Sequence, residues 1–168
     1  MGSYVQENLL PSESIIYEAS LSWWAHFWRI LFGIILIVAP LAAIPWVQSQ
    51  HLGQYQNITY GVLLIPVIIG VVNLLGLWVK FTSTELAVTN RRVIAKFGVV
   101  SRETFELNID RVEGIQVSQD VTGRIFNYGT LRIGGTGNSD PIPNISKPLA
   151  FKKAVMETQD AARTALGR

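Results

Sequence analysis

Residues 30–79 form a run of fifty without one Asp, Glu, Lys or Arg. A helix on the surface of a water-soluble domain keeps a polar face, because one side of it meets solvent. A run this long and this apolar fits a lipid solvent instead. It divides at the polar, uncharged segment 48–57 into two spans, about residues 27–47 and 58–79. At about 1.5 Å per residue, each reaches roughly 30 Å, the thickness of a hydrocarbon core. Pro40, Pro45 and Pro66 fall inside the spans, where neighbouring helices can re-satisfy the carbonyls that proline frees. A ten-residue connection makes the spans antiparallel neighbours, so residues 23–80 read as a two-helix transmembrane hairpin.

The flanks set the orientation. Trp23, Trp24, Phe27 and Trp28 crowd beside Arg29, Trp46 closes the first span, and Trp78 and Lys80 mark the exit of the second. Rings that are apolar on one side and polar on the other collect at headgroup level. Trp23, Trp24, Trp28, Arg29, Trp46, Trp78 and Lys80 are therefore expected as interface anchors. Basic residues flank both outer ends, and only His51 in the connection can carry positive charge, which places both termini in the cytoplasm. Glu7, Glu13 and Glu18 precede the first basic residue, Arg29, so no cleavable signal peptide is expected.

Charged residues make up 15% of the chain, against roughly 25% in soluble domains, and the apolar block accounts for the deficit. From residue 80 onward thirteen Lys and Arg stand against nine Asp and Glu. That balance suits proximity to anionic lipid and is too weak and dispersed for nucleic acid. The absence of cysteine excludes disulfides, thiolate catalysis and Cys-based metal sites. His26 and His51 fall on opposite sides of the bilayer in this reading and cannot share a zinc ion. No spacing suggests a nucleophile with its base and orienter, so binding without catalysis or cofactor is expected.

The outer segments read as strands and one helix. In the leading segment, residues 1–22, the β-branched patch Ile15-Ile16-Tyr17 follows Pro11 and Ser12, as a strand joining a later sheet or as an interfacial piece. Residues 85–94 begin with alternating apolar positions, and Thr89-Asn90-Arg91-Arg92 suits a tight turn before Val93-Ile94-Ala95-Lys96-Phe97. Gly98 supplies a break, and residues 104–109 alternate strictly, as in a sheet with one wet face. Residues 112–117 and 130–133 are further strands. Pro148 suits a first helical turn, after which Phe151, Val155, Ala162 and Leu166 keep to one face. Lys152, Lys153, Glu157, Asp160 and Arg163 fill the other face. Short strands and one closing helix predict a small, partly open β-barrel capped by that helix over residues 81–168.

Several segments in order carry a family resemblance. They are Glu85 through Asn90-Arg91-Arg92 to Ile94, then Gly98, Ile115, the run Gly123-Arg124-Ile125-Phe126-Asn127-Tyr128-Gly129-Thr130, and Pro148. Together they resemble the bacterial pleckstrin-homology (PH)-like domains that sit beside transmembrane helices, the membrane-flanked or YdbS-like type. The resemblance implies a bacterial inner-membrane protein with a PH-like superbarrel, two orthogonal β-sheets and a C-terminal helix closing one end. It implies no known catalytic chemistry. The basic first hairpin by which some eukaryotic relatives hold phosphoinositides is represented here only by Arg91-Arg92.

The candidate contacts are few. Asn90, Arg91 and Arg92 offer forked donors to a lipid phosphate, or else form a turn with solvated charges. Gly134-Gly135-Thr136-Gly137 suits an anion cradle or a flexible turn. Gly123-Arg124 with Asn127-Tyr128-Gly129 is a recognition surface or a turn of residues that tolerate positive φ. Asn73 offers an interhelical amide bond within the second span, or a bond to its own backbone, and Gly33, Gly61, Gly70 and Gly76 would let helices approach closely. The leading expectation is a docking domain displayed on the cytoplasmic face for a protein or peptide partner, with the hairpin as anchor and a route to homo-oligomers. The alternatives are a sensor of anionic headgroups and a small subunit of a transporter or channel.

Overall fold

A computed structural model describes residues 3–50, 53–98, 103–135, 141–165 and 167. His51, Thr136, Gly137 and Leu166 lie outside the described residues. The chain divides into two compact units, His26–Val79 and a second made of Met1–Ala25 with Lys80–Arg168.

The helical unit is built on α2 (Phe27–Ser49) and α3 (Gln56–Ser83). Both helices are long and apolar enough to cross a membrane, with a hydropathy of 2.6 in each. Their backbones meet at two glycines. A Cβ on Gly33 would lie 2.8 Å from Leu74 Cδ2, and one on Gly70 would lie 2.8 Å from the Gly33 carbonyl oxygen. Hydrogen alone fits there, and the close approach favours dispersion contacts between the helices. Gly61 and Gly76 meet nothing within 4 Å, so only two of the four glycines serve this approach. α3 also runs on to Ser83, a turn beyond the expected end of the second span at residue 79.

The second unit carries two antiparallel sheets. The first has the order β1 (Ile15–Ala19), β2 (Glu85–Thr89), β3 (Arg92–Phe97), β4 (Glu103–Asn108). The second has the order β5 (Gly114–Ser118), β6 (Tyr128–Gly134), β7 (Ile142–Ser146). They are stitched at one corner, where Leu21 bridges Ile145. There Ser22 N–H donates to Asn144 O at 2.7 Å and Ser146 N–H to Ser20 O at 2.9 Å. At the opposite corner β4 and β5 are both edge strands, so the strands do not close into a barrel. Helix α5 (Pro148–Ala165) packs on the core shared by the sheets. Phe151 and Val155 are fully buried against Leu86, Val88, Val93, Leu131 and Ile145.

β7 and α1 depart from the sequence expectation. β7 contains Pro143 and a left-handed Asn144 (φ 63°), features that obscure a strand in the sequence. It is tolerated because β7 is an edge of its sheet, where a missing N–H costs no ladder bond. The short helix α1 (Ser3–Glu7) sets Val5 against Ala87 and Ile94 on the other side of the first sheet. That cover explains why β2 is apolar and buried almost throughout, not alternately.

Candidate functional site

The β2–β3 turn carries the only adjacent arginine pair in the chain, Arg91-Arg92. Asn90 and Arg91 are its two central residues, as the sequence predicts, but the charges are not all solvated. Glu13 is held by Arg92, whose Nε donates to Oε1 at 2.9 Å and Nη2 to Oε2 at 2.8 Å. Arg92 Nη1 donates to Glu106 Oε2 at 2.7 Å, and Nη2 also donates to Asn8 O at 2.9 Å. The Glu13 side chain is 0% exposed and that of Arg92 17%. Burial pushes the Glu13 carboxyl up, but hydrogen bonds from Arg92, the Leu10 N–H and the Thr89 hydroxyl outweigh it, and the net shift is downward. Asn90 is also committed: its Oδ1 accepts from Ser14 N–H and its Nδ2 donates to Ser12 O, both at 3.1 Å. Arg91 is exposed and donates through Nη2 to Ser12 Oγ at 2.6 Å. The cluster is thus a clamp that fastens the leading segment to the sheet.

The remaining sequence candidates are dispersed. Asn73 Oδ1 accepts from Arg29 Nε at 3.3 Å, a bond between α3 and α2. Trp28, Trp46 and Trp78 are exposed on the helical unit, and Lys80 is exposed in the last turns of α3. Trp23 stacks on Phe81 with ring centroids 4.2 Å apart, and Trp24 on Phe126 at 4.5 Å. Gly135 serves packing: an added Cβ would come 2.5 Å from Arg111 O and 2.8 Å from Leu107 Cδ2. Gly123 sits inside a one-turn helix, α4 (Val121–Ile125), where a Cβ would come 2.6 Å from Tyr128 O. Close approach, not positive φ, demands glycine there. Within the same run only Asn127 takes positive φ, at 55°.

Two of the concavities on the β-unit lie at edge strands. One, about 410 Å³, lies at the end of the sheets between Phe97, Glu103, Phe105, Ile133, Ile142 and Pro143. The other, about 690 Å³, is an open groove along β5, floored by Gly114, Ile115, Gln116 and Val117 and walled by Leu149 and Lys152 of α5. Glu113 and Arg132 also border it. An edge strand presents a row of outward N–H and C=O groups, a template for one more strand. Leu149, which lines the same groove, is 57% exposed. The groove combines backbone donors and acceptors with an apolar anchor point and a cation, which suits an extended peptide. The sequence pointed to docking at an open sheet edge without marking β5 or Leu149. The available signal was Leu149 itself, an apolar residue off the stripe that buries Phe151 and Val155.

A family model described as "Bacterial PH domain" matches residues 15–160. No curated protein matches. Among solved structures, the chain is similar to a DUF1696 family protein with a pleckstrin-homology domain from Shewanella loihica PV-4. The identity is 16% and the TM-score 0.34, covering 45% of this chain and 70% of that one.

Proposed function

The chain belongs to the bacterial PH domain family, and from that premise we propose that it is a non-enzymatic, multi-pass protein of the bacterial cytoplasmic membrane. Its β-unit docks an extended segment of a protein partner along β5. The observation that carries this reading is the groove in which the β5 edge runs beside Leu149 and Lys152. Strand addition there supplies affinity through main-chain hydrogen bonds, and alternate side chains of the partner meet Leu149 and Lys152, which supplies specificity. The uncharged run 30–79 crosses the bilayer twice, and the basic flanks at Arg29 and Lys80 put both termini in the cytoplasm. Anchoring confines the domain near the surface, which raises its effective concentration for a partner held at the same membrane. Sensing of anionic headgroups through the Asn90-Arg91-Arg92 turn is the weaker reading. Arg92 has Glu13, Glu106 and Asn8 as acceptors and little donor capacity left.

A photo-crosslinking residue placed at Gln116 tests the docking reading in native membranes. It should give a discrete adduct that is absent when the same residue is placed at Glu157, on the exposed face of α5. The adduct should disappear in Leu149→Glu, a surface change that leaves the core intact. Equal labelling from both positions, or an adduct indifferent to Leu149→Glu, would refute docking at β5.

A further inference from the structure

Helix α4 is too short to be stable by itself, yet the fold secures it from several directions. Asp120 caps it, with Oδ1 accepting from Gly123 N–H at 2.6 Å and Oδ2 from Thr122 Oγ1 at 2.8 Å. Gln119 Nε2 donates to the carbonyls of Gly123 at 3.2 Å and Tyr128 at 2.9 Å, holding the helix to the start of β6. What this scaffold presents outward is apolar. Val121 and Ile125, one turn apart on the same face, are 76% and 70% exposed, and Phe126 is 41% exposed. A turn that merely joined β5 to β6 would have polar residues at those positions. Arg124, next to Ile125 in the chain, adds an exposed cation.

Phe126 supplies the link to a ligand, because its ring stacks on Trp24 at 4.5 Å. Trp24 precedes Phe27, the first residue of α2, by three positions. At about 3.6 Å per residue the chain between them spans at most roughly 11 Å. If α2 begins its crossing near Phe27, Trp24 lies at headgroup level and carries Phe126 there with it. The second stack, Trp23 on Phe81, repeats the arrangement beside Lys80 at the other crossing. Rings at such positions, a cation beside them and aliphatic side chains at the tip are the composition that enters the headgroup and upper acyl region.

We infer that Val121, Ile125 and Phe126, joined to Trp24, form a membrane-inserting platform: a second attachment of the β-unit to the bilayer that its own helices cross. The inference rests on the membrane-crossing reading of α2 and α3. It makes the β-unit a body held at two points, so that its orientation at the lipid surface, and hence the direction in which the β5 groove opens, is restricted.

The chain has no cysteine, so single spin labels report cleanly. Val121→Cys, Ile125→Cys, Ile35→Cys and Asp160→Cys variants of the full chain are labelled in phosphatidylcholine vesicles containing phosphatidylglycerol. Collision with oxygen, which concentrates in lipid, is compared with collision with a water-soluble nickel chelate. Ile35 is an exposed residue within α2, and Asp160 is exposed on α5. The expected result is that labels at Val121 and Ile125 favour oxygen, as at Ile35, while the label at Asp160 favours nickel. If Ile35 favours oxygen but Val121 and Ile125 behave like Asp160, the platform is overturned and the membrane-crossing reading stands. If Ile35 itself favours nickel, the membrane-crossing reading falls and the platform with it. Labels at Val121 and Ile125 shielded from both reagents would mean that protein covers the face, which also overturns the proposal.

Discussion

Arg92→Met tests whether the arginine pair is a clamp or a ligand site. The substitution keeps an unbranched apolar stem and removes the guanidinium that makes both bonds to Glu13. The Glu13 side chain, 0% exposed, is left with the Thr89 hydroxyl and the Leu10 N–H as partners. Removing one member of a buried ion pair costs about 3–5 kcal/mol. The 17% exposure of Arg92 lets water reach one side, which points to the lower end, about 3 kcal/mol. At about 1.4 kcal/mol per decade, that corresponds to roughly a hundredfold more frequent opening of β1 from β2. Amide hydrogen exchange of the full chain in lipid nanodiscs reads this directly. The β1 amides should exchange about a hundredfold faster, while those of β6, in the other sheet, change little. The pH dependence has a definite sign. The Glu13 carboxyl is held below its ordinary value in the folded chain, so its stabilisation is fully present above the unfolded value of about 4.3. It is lost as pH falls through the lower folded value. In the unsubstituted chain β1 protection should hold from neutral pH to about 5 and drop only below about 4. Unchanged β1 exchange in Arg92→Met, together with lost binding to anionic vesicles, would refute the clamp and favour the headgroup reading.

Other outcomes follow from the same structure. Phe151→Ala opens a cavity at a fully buried position and should destabilise the β-unit by about 3–5 kcal/mol, visible as a large drop in its denaturation midpoint. Gly70→Ala forces a Cβ to 2.8 Å from both Gly33 O and Ile37 Cγ1, whereas Gly61→Ala meets open space. In detergent the first should lower the melting temperature, at an overpacking cost of about 1–3 kcal/mol, and the second should leave it unchanged or slightly raised. A cysteine at Gln54 should react with an impermeant thiol reagent added outside intact cells, and one at Glu157 should not. The reverse pattern would invert the proposed topology.

Much of the fold was legible because the signals involved are local. The uncharged run announced two long apolar helices, the alternation in β4 a strand, the Asn90-Arg91 dipeptide a tight turn, and the spacing of Phe151 and Val155 a helix with one buried face. Each depends on neighbours within a few residues, which periodicity records. The clamp is different in kind. Glu13 and Arg92 are 79 positions apart, on either side of the whole apolar block, so nothing nearby in the chain marks Arg92 as an internal cation. The same holds for Ala87 and Ile94, whose burial depends on Val5 arriving from the chain's beginning. β7 escaped the sequence reading because Pro143 and the left-handed Asn144 break its local pattern, and only pairing with β6 makes it a strand. The candidate sites were the least legible part. The β5 groove exists because α5 returns beside an unpaired edge, and the α4 face acquires a meaning only when Trp24 stacks on Phe126. The sequence alone determined how many apolar helices the chain makes and which face of its last helix is buried, because hydropathy and period act over a few residues. Tertiary structure decided which charges are spent internally and which edges and apolar faces are left open, because both depend on contacts between residues far apart in the chain.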